Sequence, residues 1–348
     1  MTGGAKVTVA GAGALGLCTA LALADAGCVV TVCDPEPVGL ASAVAAGMLA
    51  PVFEAALDPE AASAFDILIA ARDLWPGLEA RAGVVLDRSG AMAVGETAWL
   101  AGIRAALIRL GVHGIDLPRR TAEQLAPGLS EAFGQAVLVR EDWRLEPRAA
   151  LAALRSAAMA AGVQVRREAV QAPGDADWLV IATGPAQGLA DVAPELTRLT
   201  PIKGQIARYA DLRRGGVSVR GEGVYAVPGA DGLAVGATME PGASDAQPDR
   251  KALAPMLLAG ARLFPALEHA AFELAAGVRA ATPDGLPMAG FSQAPKVILA
   301  TGARRNGWLL APLIAQVVAA CVTGGEAGPY AARFDPARFA QGAFGGGR

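Results

Sequence analysis

Short apolar runs of strand length alternate along the chain with longer stretches whose apolar residues recur at helical spacing. The opening run, 6–10, leads into Gly11-Ala12-Gly13-Ala14-Leu15-Gly16. An Ala/Leu helix follows and closes at Gly27, and a second strand covers 28–33. Asp58-Pro59-Glu60 has the form of a helix start, with an acceptor at the N-cap and proline in the first turn. Helical spacing then runs on to about Ala80. Beyond it the pattern changes to short strands, 84–86, 91–94 and 136–140, around a helix over 96–110. Helix 147–162, strand 163–167 and the buried strand 177–182 return to the first pattern. Period-two alternation over 201–209, 223–228 and 233–238 predicts an antiparallel meander, the last two strands joined by Gly229-Ala230-Asp231-Gly232. A helix over 250–264, strands over 272–280 and 296–300, and an apolar helix over 308–322 complete the pattern.

These switches imply an α/β chain with two interleaved units. A Rossmann-like nucleotide-binding domain takes 1–80, 146–198 and 276–340. An α+β substrate domain built on an antiparallel sheet takes 81–145 and 199–275. Residues 341–348 form a Gly-rich tail expected to be disordered. At 348 residues the chain exceeds one typical core, which agrees with two.

The stretch 6–34 carries a dinucleotide fingerprint in its required setting. Gly11 makes the tight turn, Gly13 lets backbone approach a pyrophosphate, and Gly16 permits close helix–strand packing. Asp34 ends the second strand, placed to accept from ribose hydroxyls. The alternative, a Gly-rich turn without a ligand, leaves the ordered strand, helix, strand and acid unexplained. The fingerprint does not choose between FAD and NAD. The run Ala41-Ser42-Ala43-Val44-Ala45-Ala46-Gly47-Met48-Leu49-Ala50-Pro51 offers small side chains against which a flat ring or phosphate chain could lie, or is simply an Ala-rich helix start. Thr183-Gly184, at the end of strand 177–182, is a second place where backbone could reach a cofactor.

Composition removes several function classes. A net charge of -3 with no basic block argues against nucleic-acid binding. No segment reaches the ~18 uncharged apolar residues of a membrane helix; 308–322 is too short and contains Gln316. The glycines at 11, 13 and 16 read better as a nucleotide turn than as part of a signal peptide, which places the protein in the cytoplasm. Cys18, Cys28, Cys33 and Cys321 lack metal or disulfide spacing and read as reduced core residues. His113 and His269, the two histidines, read as surface or cap residues, and no Ser–His, Cys–His or metal-ligand constellation is visible. That absence fits chemistry supplied by a cofactor and oriented by the protein.

A ligand-binding turn lies late in the sequence. Between strand 296–300 and helix 308–322 stands Thr301-Gly302-Ala303-Arg304-Arg305-Asn306-Gly307-Trp308, where free backbone N–H groups and the helix dipole favour an anion. Arg279 ends the strand before it, and the arginine fork binds carboxylate bidentately. Arg279 therefore reads as a carboxylate anchor, against the alternative of a strand-edge arginine paired with a structural acid. Arg305 is equally a helper or a surface arginine of a capping turn. Tyr225, Met48 and Met239 are by themselves ordinary core residues.

Six blocks now stand in one order: Gly11-x-Gly13-x-x-Gly16 with Asp34; Ala45-Ala46-Gly47-Met48; Pro201-Ile202-Lys203-Gly204-Gln205; Val235-Gly236-Ala237-Thr238-Met239-Glu240; Gly277-Val278-Arg279 with Thr282-Pro283-Asp284-Gly285; and Arg305-Asn306-Gly307 with Ala311-Pro312. In this the chain resembles the FAD-dependent amine oxidases of the D-amino-acid oxidase family, most of all its glycine oxidase branch, over nearly its whole length. The resemblance implies FAD lying along Ala14, Leu15, Asp34, Ala41, Ser42, Ala46, Gly47, Met48 and Val170. Ala303, Arg304, Arg305, Asn306, Gly307, Trp308 and Leu309 would wrap its isoalloxazine end. It implies Arg279 on the substrate carboxylate, Tyr225 and Arg305 assisting, and Met48 and Met239 walling a small pocket.

The activity implied is oxidative deamination of glycine, and of sarcosine or small D-amino acids, with O2 reduced to H2O2. A homo-oligomer serving thiazole formation in thiamine biosynthesis is the implied setting. A D-amino-acid dehydrogenase passing electrons to a quinone is the same-fold alternative, and a non-catalytic flavoprotein or NAD-binding module the alternative of another class. Ala303 stands where the family often has histidine, and Arg304 where it has an aromatic. The segment 170–177 is short, as if a hairpin were missing. No cysteine lies between 270 and 300, where relatives of the sarcosine-oxidase type attach flavin, so non-covalent FAD is expected.

Overall fold

The computed structural model describes residues 4–342 except 38 and 213–214; the expected tail therefore lies, beyond Gly342, outside the described residues. Lys6–Ala10 stands near the middle of a six-stranded sheet. Val29–Cys33 and Gln164–Arg166 follow on one side; Trp178–Ile181, Val297–Thr301 and Met288–Phe291 follow on the other. All pairs are parallel except the last, where Met288–Phe291 runs against Val297–Thr301. Helices Ala14–Asp25 and Gly307–Thr323 pack together over this sheet and bury its Val and Ile side chains. Cover on both faces is why Trp178–Ile181 and Val297–Thr301 read as apolar runs rather than alternations. Because the strands are parallel, their C-terminal ends share one edge, and that edge carries Gly11, Asp34 and Thr183.

The second sheet has nine strands. Thr200–Tyr209 pairs antiparallel with both Glu273–Ala281 and Gly232–Gly236, and Val224–Gly229 and Ser218–Gly221 continue the run. The expected hairpin of Val224–Gly229 and Gly232–Gly236 is present, but Thr200–Tyr209 lies beside Gly232–Gly236 rather than Val224–Gly229, because the consecutive run begins one strand later, at Ser218–Gly221. The pattern did not announce Ser218–Gly221, which joins Ala91–Val94 in parallel; Ser218 and Arg220 hide it, because both are polar yet buried. The boundary expected at 275/276 falls inside Glu273–Ala281, which pairs along its length with Thr200–Tyr209. A small third sheet joins Met48–Leu49, Trp143–Leu145 and Leu86–Asp87.

The single helix expected from Asp58 to about Ala80 is instead three: Pro59–Ala62, Phe65–Asp73 and Trp75–Ala82. Asp58 does cap the first, accepting from the Glu60 N–H at 3.0 Å. The last break falls where Pro76 has no N–H to extend the ladder. All four cysteines are unpaired, and both histidines are exposed. Among the described residues no His/Cys/Asp/Glu group could hold a metal, and no helix is long and apolar enough to cross a membrane.

Candidate active site

At the shared strand edge the glycine turn is fixed by its own backbone. Gly11 adopts φ +109°, and a Cβ there would sit 2.4 Å from the Ala182 carbonyl oxygen. Its N–H donates to the Cys33 carbonyl at 2.8 Å. Asp34 is buried and lies across the turn, Oδ2 accepting from the Ala12 N–H at 2.5 Å and Oδ1 from the Glu36 N–H at 2.6 Å. The helix at Ala14 has Gly13 as N-cap and no capping side chain of its own. The Ala14 N–H donates instead to Ser42 Oγ at 3.0 Å, and the Ser42 carbonyl accepts from Trp308 Nε1 at 2.9 Å. Ser42 thus ties the glycine turn to the arginine turn. Gly184 meets that second turn too, its carbonyl accepting from the Thr301 hydroxyl at 3.0 Å.

Beside this edge a cavity of about 470 Å³ opens between the two sheets. One wall is the small-residue run, with Ala41, Ala46, Gly47 and Met48; another is Arg305, Asn306 and Trp308; the far wall is Tyr225, Met239 and Arg279 from the second sheet. A helix N-terminus met by the Ser42 hydroxyl and by no acid, a fixed acid at the end of the second strand and a cavity walled by small side chains fit pyrophosphate, ribose and ring system of FAD in that order. Gly13 meets the same requirement, since a Cβ there would have only Ser42 Oγ at 3.2 Å and a Leu40 methyl at 3.8 Å as neighbours.

Arg279 crosses beneath the cavity from Glu273–Ala281 to Thr200–Tyr209, its guanidinium lying directly over Gly204. A Cβ on Gly204 would be 2.2 Å from both of its Nη atoms. Its own contacts are weak, the Thr238 carbonyl and the Met239 sulfur, each at 3.4 Å. No acid pairs with it among the described residues. Burial pulls its pKa below the ordinary value, against the opposing pull of Tyr225. A desolvated cation without an acid is an unfavourable arrangement that a bound carboxylate relieves. Gly204→Ala therefore displaces the flexible guanidinium rather than the backbone. It is expected to raise KM for a carboxylate substrate about tenfold or more, a charge-assisted bond or ~1.4 kcal/mol lost, at unchanged melting temperature and flavin content. Steady-state kinetics and thermal melting check both halves.

Arg305 lines the same cavity but is already engaged. Its Nε donates to Glu54 Oε2, and its Nη2 lies 3.5 Å from Asp58 Oδ2. The other Glu54 oxygen accepts from Arg220 Nη2 at 3.1 Å. Burial works to raise the Glu54 pKa, but Arg305 and Arg220 outweigh it and hold the carboxyl below its ordinary range. Tyr225 also lines the cavity. Its ring packs over Gly236, where a Cβ would fall 2.5 Å from the hydroxyl, and burial raises its pKa, keeping it a proton donor.

The remaining expected residues lie apart. Arg304 has a left-handed backbone, φ 50°, and turns its side chain to Asp58 at 2.9 Å and Glu60 at 2.8 Å. Ala303 is buried and bridges to Ala281; Gly307 opens the helix. Leu309 is core, its carbonyl accepting from Trp75 Nε1 at 3.4 Å. Val170 packs on the opposite sheet face, beside a separate groove with Thr8, Thr31 and Cys33. The sequence reading missed Glu54, Arg220 and Gly204. Glu54 did leave a signal, a lone acid in the apolar run Pro51-Val52-Phe53-Glu54-Ala55-Ala56-Leu57.

Comparisons with known proteins bear on the family and the fold. The family model described as FAD dependent oxidoreductase (DAO) matches residues 6–321. The bifunctional protein ThiO/ThiG of Trichormus variabilis is 30% identical over 96% of this chain and 55% of its own length. The chain thus spans about half the length of the first curated relatives it matches. Glycine oxidase of Pseudomonas aeruginosa is 28% identical over 92% of this chain and 95% of its own. The crystal structure of glycine oxidase from Geobacillus kaustophilus superposes with a TM-score of 0.82 at 26% identity, covering 96% of this chain and 99% of that one.

Proposed function

The chain belongs to the FAD-dependent oxidoreductase (DAO) family, and from that premise we propose that it oxidises glycine, together with sarcosine or small D-amino acids, to an imine that water converts to the 2-oxo acid. O2 is the electron acceptor and H2O2 the second product. The observation that carries this reading is Arg279, a half-buried guanidinium facing the cavity without an acid partner among the described residues. It binds the substrate carboxylate bidentately and so fixes the α-carbon. Tyr225 donates its hydroxyl to the same carboxylate, while Met48 and Met239 limit the room for a side chain.

The helix N-terminus, Asp34 and the small-residue run would hold FAD, which would supply a hydride acceptor for that carbon. It is bound non-covalently, since all four cysteines lie outside the cavity lining. Among the described residues no free base lines the cavity: Glu54 is clamped by two arginines and both histidines are exposed elsewhere. The substrate amine therefore loses its proton to solvent before hydride transfer. We further propose a cytoplasmic homo-oligomer that supplies the glycine-derived imine to thiazole formation in thiamine biosynthesis.

The testing experiment is a panel of glycine, sarcosine, D-alanine and L-alanine with purified holoenzyme in air, scored by H2O2 release. Glycine is expected to give the highest kcat/KM. Oxidation of glycine with a quinone but not with O2 would replace the oxidase by a dehydrogenase; inertness to the whole panel would remove both.

A further inference from the structure

The cavity holds more charge than a monocarboxylate needs. Arg279, Arg220, Arg305 and Glu54 all line it. Three guanidinium groups around a cavity of this size would recruit a dicarboxylate in preference to glycine. Glu54 changes that. One oxygen takes Arg305 and the other takes Arg220, and Asp58 stands behind Arg305. Arg220 and Arg305 are thereby balanced by Glu54 and Asp58, and Arg279 is the one cation lining the cavity, among the described residues, with no acid at hand.

Given the oxidase reading above, on which this rests, we infer that the Arg220–Glu54–Arg305 clamp sets the substrate class of this site. It admits amines with one carboxylate and turns away those with a second. A second carboxylate reaching past Arg279 finds both Arg220 and Arg305 already paired, so it gains no free counter-ion and is opposed by the Glu54 and Asp58 charges beside them. Arg220 cannot offset this, because its guanidinium is committed to Glu54. The side chain is 7% exposed, and its one ion pair among the described residues is the one with Glu54. With the Glu54 charge removed, Arg220 and Arg305 would turn to the next available anion. Glu54 is thus a positioning and specificity residue, acting through the two arginines it holds.

Acetate and malonate isolate the effect, since both offer a carboxylate to Arg279 and only malonate adds a second. Each is measured as a competitive inhibitor of glycine oxidation in wild type, Glu54→Gln, Glu54→Asp and Arg220→Met. In Glu54→Gln the Ki of malonate relative to acetate is expected to fall about tenfold or more, ~1.4 kcal/mol of removed repulsion. Glu54→Asp keeps the charge and should stay close to wild type. Arg220→Met leaves Glu54 under-balanced and should move the ratio the opposite way. Opposite signs are not what loss of packing would give, and should Glu54→Gln not fold, the Arg220→Met and Glu54→Asp results decide alone. A malonate-to-acetate ratio equal in all four proteins overturns the inference. If wild type does not oxidise glycine, the oxidase reading fails instead. The same acids are then titrated against the flavin absorbance, which needs no turnover and still reads the ratio.

Discussion

Arg279→Ala is expected to raise the apparent KM for glycine by about two to three orders of magnitude while the protein still purifies yellow. The magnitude follows from what is lost. Truncating one side of a desolvated, hydrogen-bonded charge pair costs about 3–5 kcal/mol, because the substrate carboxylate would then enter the cavity without its counter-ion. The fold should tolerate the change. Arg279 makes only two long contacts of its own, and its removal takes an uncompensated cation out of the interior. Arg279→Lys keeps the charge but loses the fork, so it should fall between wild type and alanine. Flavin content and melting temperature should stay near wild type in both. A KM for glycine within twofold of wild type in the alanine variant would remove Arg279 from the site.

Gly13→Val is expected to give folded but colourless protein. The reason lies in how differently the three glycines of the turn are surrounded. At Gly16 a Cβ would fall 2.0 Å from the Gly11 carbonyl oxygen, and at Gly11 it would fall 2.4 Å from that of Ala182; both collisions are with backbone. Substitution there separates helix from strand and unfolds the first sheet. At Gly13 the nearest atom is Ser42 Oγ at 3.2 Å, which gives way by a rotamer change. The valine side chain then occupies the approach to the helix N-terminus, where the pyrophosphate must lie against backbone N–H groups. Circular dichroism should match wild type, while flavin released on denaturation should drop to a few per cent. Stoichiometric flavin in Gly13→Val would show that the turn does not hold the cofactor; loss of secondary structure in Gly16→Val would be the expected contrast.

How much of this was legible in the sequence varies with the range of the interaction. The central parallel strands were legible because burial on both faces leaves continuous apolar runs such as Leu179 to Ile181 and Val297 to Ala300. The glycine turn with Asp34 was legible because its spacing is set by local backbone geometry. Arg279 stood out as the one charge inside its strand, where the other, Glu273, is the first residue. Interactions between distant segments were not legible. Glu54 meets Arg220 and Arg305 from positions 166 and 251 residues away in sequence, so Arg305 looked free when it was read from its own turn. Gly204 could not be linked to Arg279 without strand register, which places Lys203 opposite Val278 and Gly204 opposite Gly277. Ser218–Gly221 stayed hidden because a buried arginine looks like loop chemistry in sequence. The long helix after Asp58 broke up because helical periodicity persists across short breaks that only capping and proline geometry reveal.

The clamp also gives the arginine turn a structural role beside its chemical one. Arg304 and Arg305 both reach the acids at the start of the helical segment after Asp58, while Trp308 reaches the small-residue run through Ser42. The turn therefore couples the two walls of the cavity. Its geometry depends on residues that never touch the substrate.

The central claim is that a carboxylate held on Arg279 presents an amine-bearing carbon to flavin in this cavity. Anaerobic titration of the purified holoprotein with glycine tests it most directly. The account predicts that glycine alone bleaches the visible flavin band, and that Arg279→Ala needs far more glycine to do so. A band that dithionite bleaches but saturating glycine leaves unchanged would contradict it.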